Sequence, residues 1–274
     1  MTSAEHSRSA PGAHYTLSPG APKSPVLLHV PHGSRIVPAG VRDRILLSDT
    51  ELSAELDRMT DAHTGSIAEQ AATPAAVRPW VFTNHLSRLV VDPERFADQR
   101  EEMRAVGMGA VYTRTSLGDR LREYDADHEK SLLTTYFNPY TAAMTRAVEE
   151  RLTATGRAIV LDIHSYPTER LPYELHSGPR PEICLGTADR HTPPWLIAAA
   201  RKAFSPFEVD LNTPFTGAYV PLRYYRFAPE VLSLMIEIRR DRYMTEPGGS
   251  PHSGLSAITK SLNALIDGIT PPTG

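Results

Sequence analysis

Residues 158–165 read Ala-Ile-Val-Leu-Asp-Ile-His-Ser. The apolar part is too short for a helix and reads as a buried strand over Ala158–Ile163. Side chains alternate along a strand, so Asp162 and His164 share one face and Ile163 takes the other. A polar pair at the end of an apolar strand marks the edge where open α/β sheets bind ligands.

Working outward, similar runs occur at Pro25–Val30, Trp80–Thr83 with Leu89–Val91 close behind, Ile183–Leu185 and Val231–Ile238. Helical segments separate them. Ser48 and Glu51 form a capping-box signature that opens a helix running to about Gln70. Asn138 followed by Pro139 reads as a cap and first turn for a helix to Leu152. Further helices start at Pro193 or Pro194 and at Ser253 or Ser256. Strands alternating with helices predict a layered α/β domain with a largely parallel sheet. The polar, poorly periodic segment 100–127 reads as an insertion or lid.

The chain has 274 residues, 41% hydrophobic and 22% charged, enough for one well-cored domain. A net charge of −3 without a basic block argues against nucleic-acid binding. Cys184 is the single cysteine, which excludes an internal disulfide and fits a reducing, cytoplasmic setting. No apolar stretch reaches the ~18 residues of a membrane span. Residues Met1–Ser24, rich in Ser, Ala, Pro and Gly, read as a mobile arm without a signal-peptide core. With a short tail at Thr270–Gly274, this leaves 25–269 as a single catalytic domain, and a homo-oligomer stays open.

Four clusters carry chemistry. His29-Val30-Pro31-His32-Gly33 places His32 in a turn just beyond a strand. His164 ends the strand quoted above, with Asp162 a candidate to orient its ring. Asp61 lies on the first long helix and competes with His63 for the role of a third, oxygen or nitrogen, metal ligand. Glu237 sits inside Leu234-Met235-Ile236-Glu237-Ile238-Arg239, where an acid is costly to bury unless it is paired or used. It is either half of an ion pair with Arg239 or a general base beside a metal-activated water. Two histidines, a carboxylate and a buried glutamate are the parts of metal-dependent hydrolysis. The glycine-rich and serine motifs of rival chemistries are missing.

In this order the motifs resemble the N-formylglutamate amidohydrolase family, distant relatives of zinc carboxypeptidases and aspartoacylases. Pro31-His32-Gly33, Thr60-Asp61, Ser87-Arg88-Leu89-Val90-Val91-Asp92 with Arg95, Asp162-Ile163-His164-Ser165, Leu185-Gly186-Thr187, Pro214–Tyr219 and Ile236-Glu237-Ile238 through Tyr243-Met244 carry the likeness. The resemblance implies a three-layer α/β/α phosphorylase/hydrolase-like fold and one Zn2+ per chain on His32, Asp61 and His164. It makes Glu237 the base and calls for one arginine at the oxyanion and another at the substrate carboxylate, with Arg88 and Arg95 the candidates and Arg88 set at the catalytic position. Arg95, Asp92, Thr216, Gly217, Arg223 and Arg239 are the expected contacts to a small carboxylated substrate. The chain departs from the family at Asp92-Pro93-Glu94-Arg95, where Asp-Leu-Asn-Arg is usual, and at Ala218, where a second glycine is usual. The expected reaction is hydrolysis of an N-formyl or N-acyl amino acid. The other readings are a carboxypeptidase-like hydrolase and an inactive small-molecule binding homologue.

Overall fold

The computed structural model describes residues 14–175 and 177–270. In chain order the elements are β1 (Tyr15–Ser18), β2 (Val26–Val30), α1 (Ala39–Arg42), α2 (Asp49–Met59), α3 (Thr64–Ala72) and β3 (Trp80–Asn84). There follow α4 (Ala126–Leu132), α5 (Asn138–Thr155), β4 (Ala158–Tyr166), β5 (Ile183–Thr187) and α6 (Pro194–Ala203). The chain closes with β6 (Val209–Leu211), β7 (Val231–Arg239) and α7 (Gly254–Ile269).

The strands form one sheet in the order β1-β3-β2-β4-β7-β5-β6. The four central strands, β3, β2, β4 and β7, run parallel. β1 joins β3 antiparallel, and β5 joins β7 antiparallel. Alternation sorts the strand residues into two cores. Val26, Leu28 and Val30 of β2, Ile159, Leu161 and Ile163 of β4, and Leu234, Ile236 and Ile238 of β7 face α3, α6 and α7. Leu27, Val160 and Phe82 face Tyr140, Met144 and Val148 of α5. Helices on both faces give three layers, and strands wet on neither face explain the nearly continuous apolar runs.

Four expectations need correction. The helix opened at Ser48 keeps its capping box but ends at Met59, and α3 starts separately at Thr64. Between them Thr60 is extended, His63 is left-handed at φ 67°, and the Asp61 amide bonds the His32 carbonyl instead of continuing the helix. Leu89–Val91 is a buried turn, because the Ser87 hydroxyl and carbonyl accept the amides of Leu89 and Val90. Asn138 caps nothing: α4 passes through a wider π-type turn at Leu133–Phe137 directly into α5. The folded domain also begins earlier than residue 25, since Tyr15 stacks on Phe82 as β1 pairs with β3. Residues 1–13 and 271–274 of the expected arm and tail lie outside the described residues.

Segment 100–127 has its own core. Met103, Met108, Tyr112 and Leu121 pack on Leu52, Leu56, Met59 and Leu89. Buried Glu55 of α2 ties the segment down through the Ser116 amide and hydroxyl. Among the described residues no helix is long and apolar enough to cross a membrane.

Candidate metal-dependent active site

On the α5 face of the sheet, the apolar pattern gives way to polar residues toward the carboxyl ends of the strands. His29 of β2 stands beside Asp162 of β4, and His164 of β4 beside Glu237 of β7. In parallel strands, neighbours in register share a face, so four polar side chains line up toward the carboxyl edge of the sheet.

His32 follows β2 by two residues and is buried. Its Nε2 lies 2.9 Å from Asp92 Oδ1. Asp92 is fully buried and also accepts from Arg88 Nη2 at 2.7 Å and from the Tyr112 hydroxyl at 2.5 Å. Burial opposes its ionisation, but Arg88, His32 and Arg95 outweigh that and hold its carboxyl well below the usual range. An ionised Asp92 takes the Nε2 proton of His32 and leaves the Nδ1 lone pair free.

That Nδ1 faces His164 Nδ1 at 3.3 Å. Asp61 Oδ2 closes a triangle, 3.2 Å from His164 Nδ1 and 3.7 Å from His32 Nδ1. The helix break described above is what turns Asp61 into this position. His63 points elsewhere, with Nε2 at 3.0 Å from the Gly249 carbonyl. Arg240 holds the other Asp61 oxygen at 3.1 Å and the Ser165 hydroxyl at 3.1 Å.

Behind His164, Asp162 Oδ1 lies 3.1 Å from Nε2 and 2.8 Å from His29 Nδ1. Asp162 Oδ2 accepts the Tyr219 amide at 3.3 Å. With its Nδ1 proton given to Asp162, His29 accepts the Tyr140 hydroxyl at Nε2, 2.6 Å away. Despite burial, Asp162 and Glu94 raise the pKa of His164 well above normal, and Asp92 and Asp61 raise that of His32. Carboxylates thus draw positive charge to this point.

Two imidazole nitrogens facing at 3.3 Å need a proton or a metal ion between them, and Asp61 beside both favours either. Two edges of the triangle, 3.3 and 3.2 Å, match the roughly 3.3 Å separation of neighbouring ligands in a tetrahedral zinc site with bonds of about 2.0–2.1 Å, and the third, 3.7 Å, is wider. The residues fit a metal. Among the described residues, His32, Glu94 and His164 form one grouping able to hold an ion, and His29, Glu94 and Asp162 another.

A cavity of about 550 Å3 opens over these groups, lined by Arg88, Arg95, Thr216, Gly217, Arg223 and Glu237 among others. Its size suits a small ligand. Glu237 is 8% exposed, and its Oε2 has no hydrogen-bond partner. Burial, with Asp61 adding repulsion, pushes its pKa up to about 7. Arg239 is not its partner: the guanidinium turns to Asp241 at 2.8 Å and to the Arg180 carbonyl, because the strand ends there. Arg240, the next residue, is the arginine that reaches the site, and the Arg239-Arg240 pair was the available signal. Arg223 is largely exposed and pairs with Glu149 at 3.3 Å. Arg95 makes only long ion pairs, 3.6 Å to Asp92 and 3.7 Å to Glu101, and its buried Nε has no hydrogen-bond partner. Tyr112, Tyr140 and Glu94 are further site residues that sequence reasoning left without a role. Tyr112 comes from segment 100–127, where no local motif announces it.

The loop bearing Thr216 and Gly217 rests on Gly186. A Cβ there would stand 2.3 Å from the Gly217 carbonyl oxygen, so only glycine lets the loop lie on β5.

Comparison with known proteins bears on the fold and the family. An N-formylglutamate amidohydrolase from Ralstonia eutropha JMP134 superposes with a TM-score of 0.76 at 23% identity, over 93% of this chain and 96% of that one. A gene product of Agrobacterium tumefaciens superposes with a TM-score of 0.70 at 19% identity, over 93% and 94% of the two chains. Both show the shared α/β fold. Among curated proteins none matches significantly. The family model for N-formylglutamate amidohydrolase matches residues 24–244. The chain therefore belongs to the N-formylglutamate amidohydrolase family, hydrolases of carbon–nitrogen bonds other than peptide bonds.

Proposed function

We propose that the protein is a zinc-dependent amidohydrolase that cleaves the C–N bond of an N-formyl or N-acyl amino acid such as N-formylglutamate. The observation that carries this reading is the triangle of His32 Nδ1, His164 Nδ1 and Asp61 Oδ2 beside the buried Glu237. Those three residues would hold the zinc, which supplies Lewis acidity and a water acidified toward a pKa of about 7.

The chain's own residues do the rest. Asp92 and Asp162 stand at the Nε2 sides of the two imidazoles, so that the Nδ1 atoms are the ones turned toward the metal position. Glu237, with a pKa near 7, can accept a proton from the attacking water and return it to the leaving nitrogen. The water oxygen bonds to the acyl carbon, the C–N bond breaks, and formate (or another carboxylate) leaves with the free amine. Arg88, ionised and fixed by Asp92 and Tyr112, lines the cavity as the donor for the developing oxyanion. Arg95, with a donor to spare, suits the substrate carboxylate.

The test is metal analysis of the purified protein with a primary-amine release assay across formyl- and acetyl-amino acids. About one zinc per chain and chelator-sensitive amine release are expected. Protein that takes up no metal and releases no amine from any of them would refute the reading.

A further inference from the structure

Asp61 is not the only carboxylate at the imidazoles. Glu94 Oε2 stands 3.7 Å from His32 Nδ1, the distance at which Asp61 Oδ2 stands from the same atom. It lies 3.1 Å from His164 Nε2, the nitrogen that faces Asp162 and not the Nδ1 triangle, while Oε1 lies 3.4 Å from His29 Nδ1. The side chain is 15% exposed, and Oε1 is buried without a hydrogen-bond partner. A buried acceptor left without a donor is costly. Neither nearby arginine answers it, since Arg88 pairs with Asp92 and Arg95 with Asp92 and Glu101. Nor is Glu94 free to swing far: its amide bonds Asp92 Oδ1 at 3.2 Å, and Pro93 stiffens the backbone before it. Oε1 is buried without a partner, Oε2 stands at the metal-facing nitrogen of His32, and His32, Glu94 and His164 form a grouping able to hold an ion.

We propose that Glu94 is a fourth protein ligand to the metal, closing in the substrate-free protein the position that catalysis needs open. The inference rests on the metal reading given above. Its consequence is that substrate entry must displace the Glu94 carboxylate, so this chain holds its metal more tightly than His32, Asp61 and His164 alone would.

The test pairs a crystal structure of the zinc-loaded full chain with zinc affinity measured by chelator competition. A Glu94 oxygen within about 2.2 Å of zinc is expected. E94Q should weaken zinc binding at least tenfold, with E94D recovering part of the loss. Zinc held by His32, Asp61 and His164 with Glu94 more than about 3 Å away would overturn this inference alone. So would an E94Q affinity equal to the native one. A chain that binds no zinc under any loading condition would overturn the metal reading as well.

Discussion

His32 and His164 turn their Nδ1 atoms toward each other across 3.3 Å, although they lie 132 residues apart in the chain. Each is committed to that direction by a carboxylate at its far nitrogen, Asp92 for His32 and Asp162 for His164. Such opposition calls for a proton or a metal ion between the rings, so the pair is the centre from which the site's behaviour follows.

His164→Ala removes one corner of the triangle. The variant should fold, because His164 lies beyond the apolar core residues of its strand face, but it should purify without zinc and fail to retain it on dialysis. One zinc per chain, measured by elemental analysis of that variant, would exclude His164 from the ligand set.

Asp92→Asn keeps the shape beside His32 and removes the charge that fixes its tautomer. Zinc affinity should fall by about 10–100-fold, the usual effect of losing a carboxylate behind a ligating histidine. Chelator competition reads this directly, and an unchanged affinity would mean that His32 needs no such orientation.

Glu237→Gln should keep zinc and lose at least about 100-fold in turnover, the scale of a removed acid–base group. Turnover within a fewfold of native, with the metal confirmed, would assign the proton transfer to another residue.

The same residue gives a signed pH dependence in chelator-treated protein. Glu237 holds its proton to about pH 7 when folded, against an ordinary value of 4.5. Between these values the folded state binds more protons than the unfolded one, so this group lowers stability as pH rises. Glu237→Gln should therefore gain stability over native by something on the order of 3 kcal/mol between pH 4.5 and 8. Denaturant titrations at the two pH values check it, and a pH-independent difference would show that the carboxyl is not perturbed by burial.

Arg95→Ala should lower kcat/KM about 10–100-fold on a carboxylated substrate, the worth of a charge-assisted hydrogen bond of ~1.5–3 kcal/mol. The loss should be much smaller on the matching side-chain or α-amide. Equal losses on both would give Arg95 a structural role instead.

The Agrobacterium and Ralstonia folds and this one share a sheet whose central strands were readable from local pattern. Apolar runs of strand length, buried on both faces, leave a signature that no tertiary information is needed to see. β1 and β6 were not readable, since each is a short edge strand whose pairing, more than its composition, makes it a strand. The break at Thr60–His63 was invisible too. Its residues tolerate a helix, and the bond that stops them comes from the His32 carbonyl in a distant turn.

The sequence by itself determined the parallel α/β core, the strand-end positions of His32 and His164, and the burial of Glu237, because alternation and hydrophobicity are local. Only the tertiary structure decided that Asp61 rather than His63 faces the histidines, that Arg240 rather than Arg239 enters the site, and that Glu94 crowds the same imidazoles as Asp61. Those outcomes depend on where loops leave the sheet edge and on which charges meet once water is excluded. They are properties of residues far apart in the chain, and no local pattern encodes them.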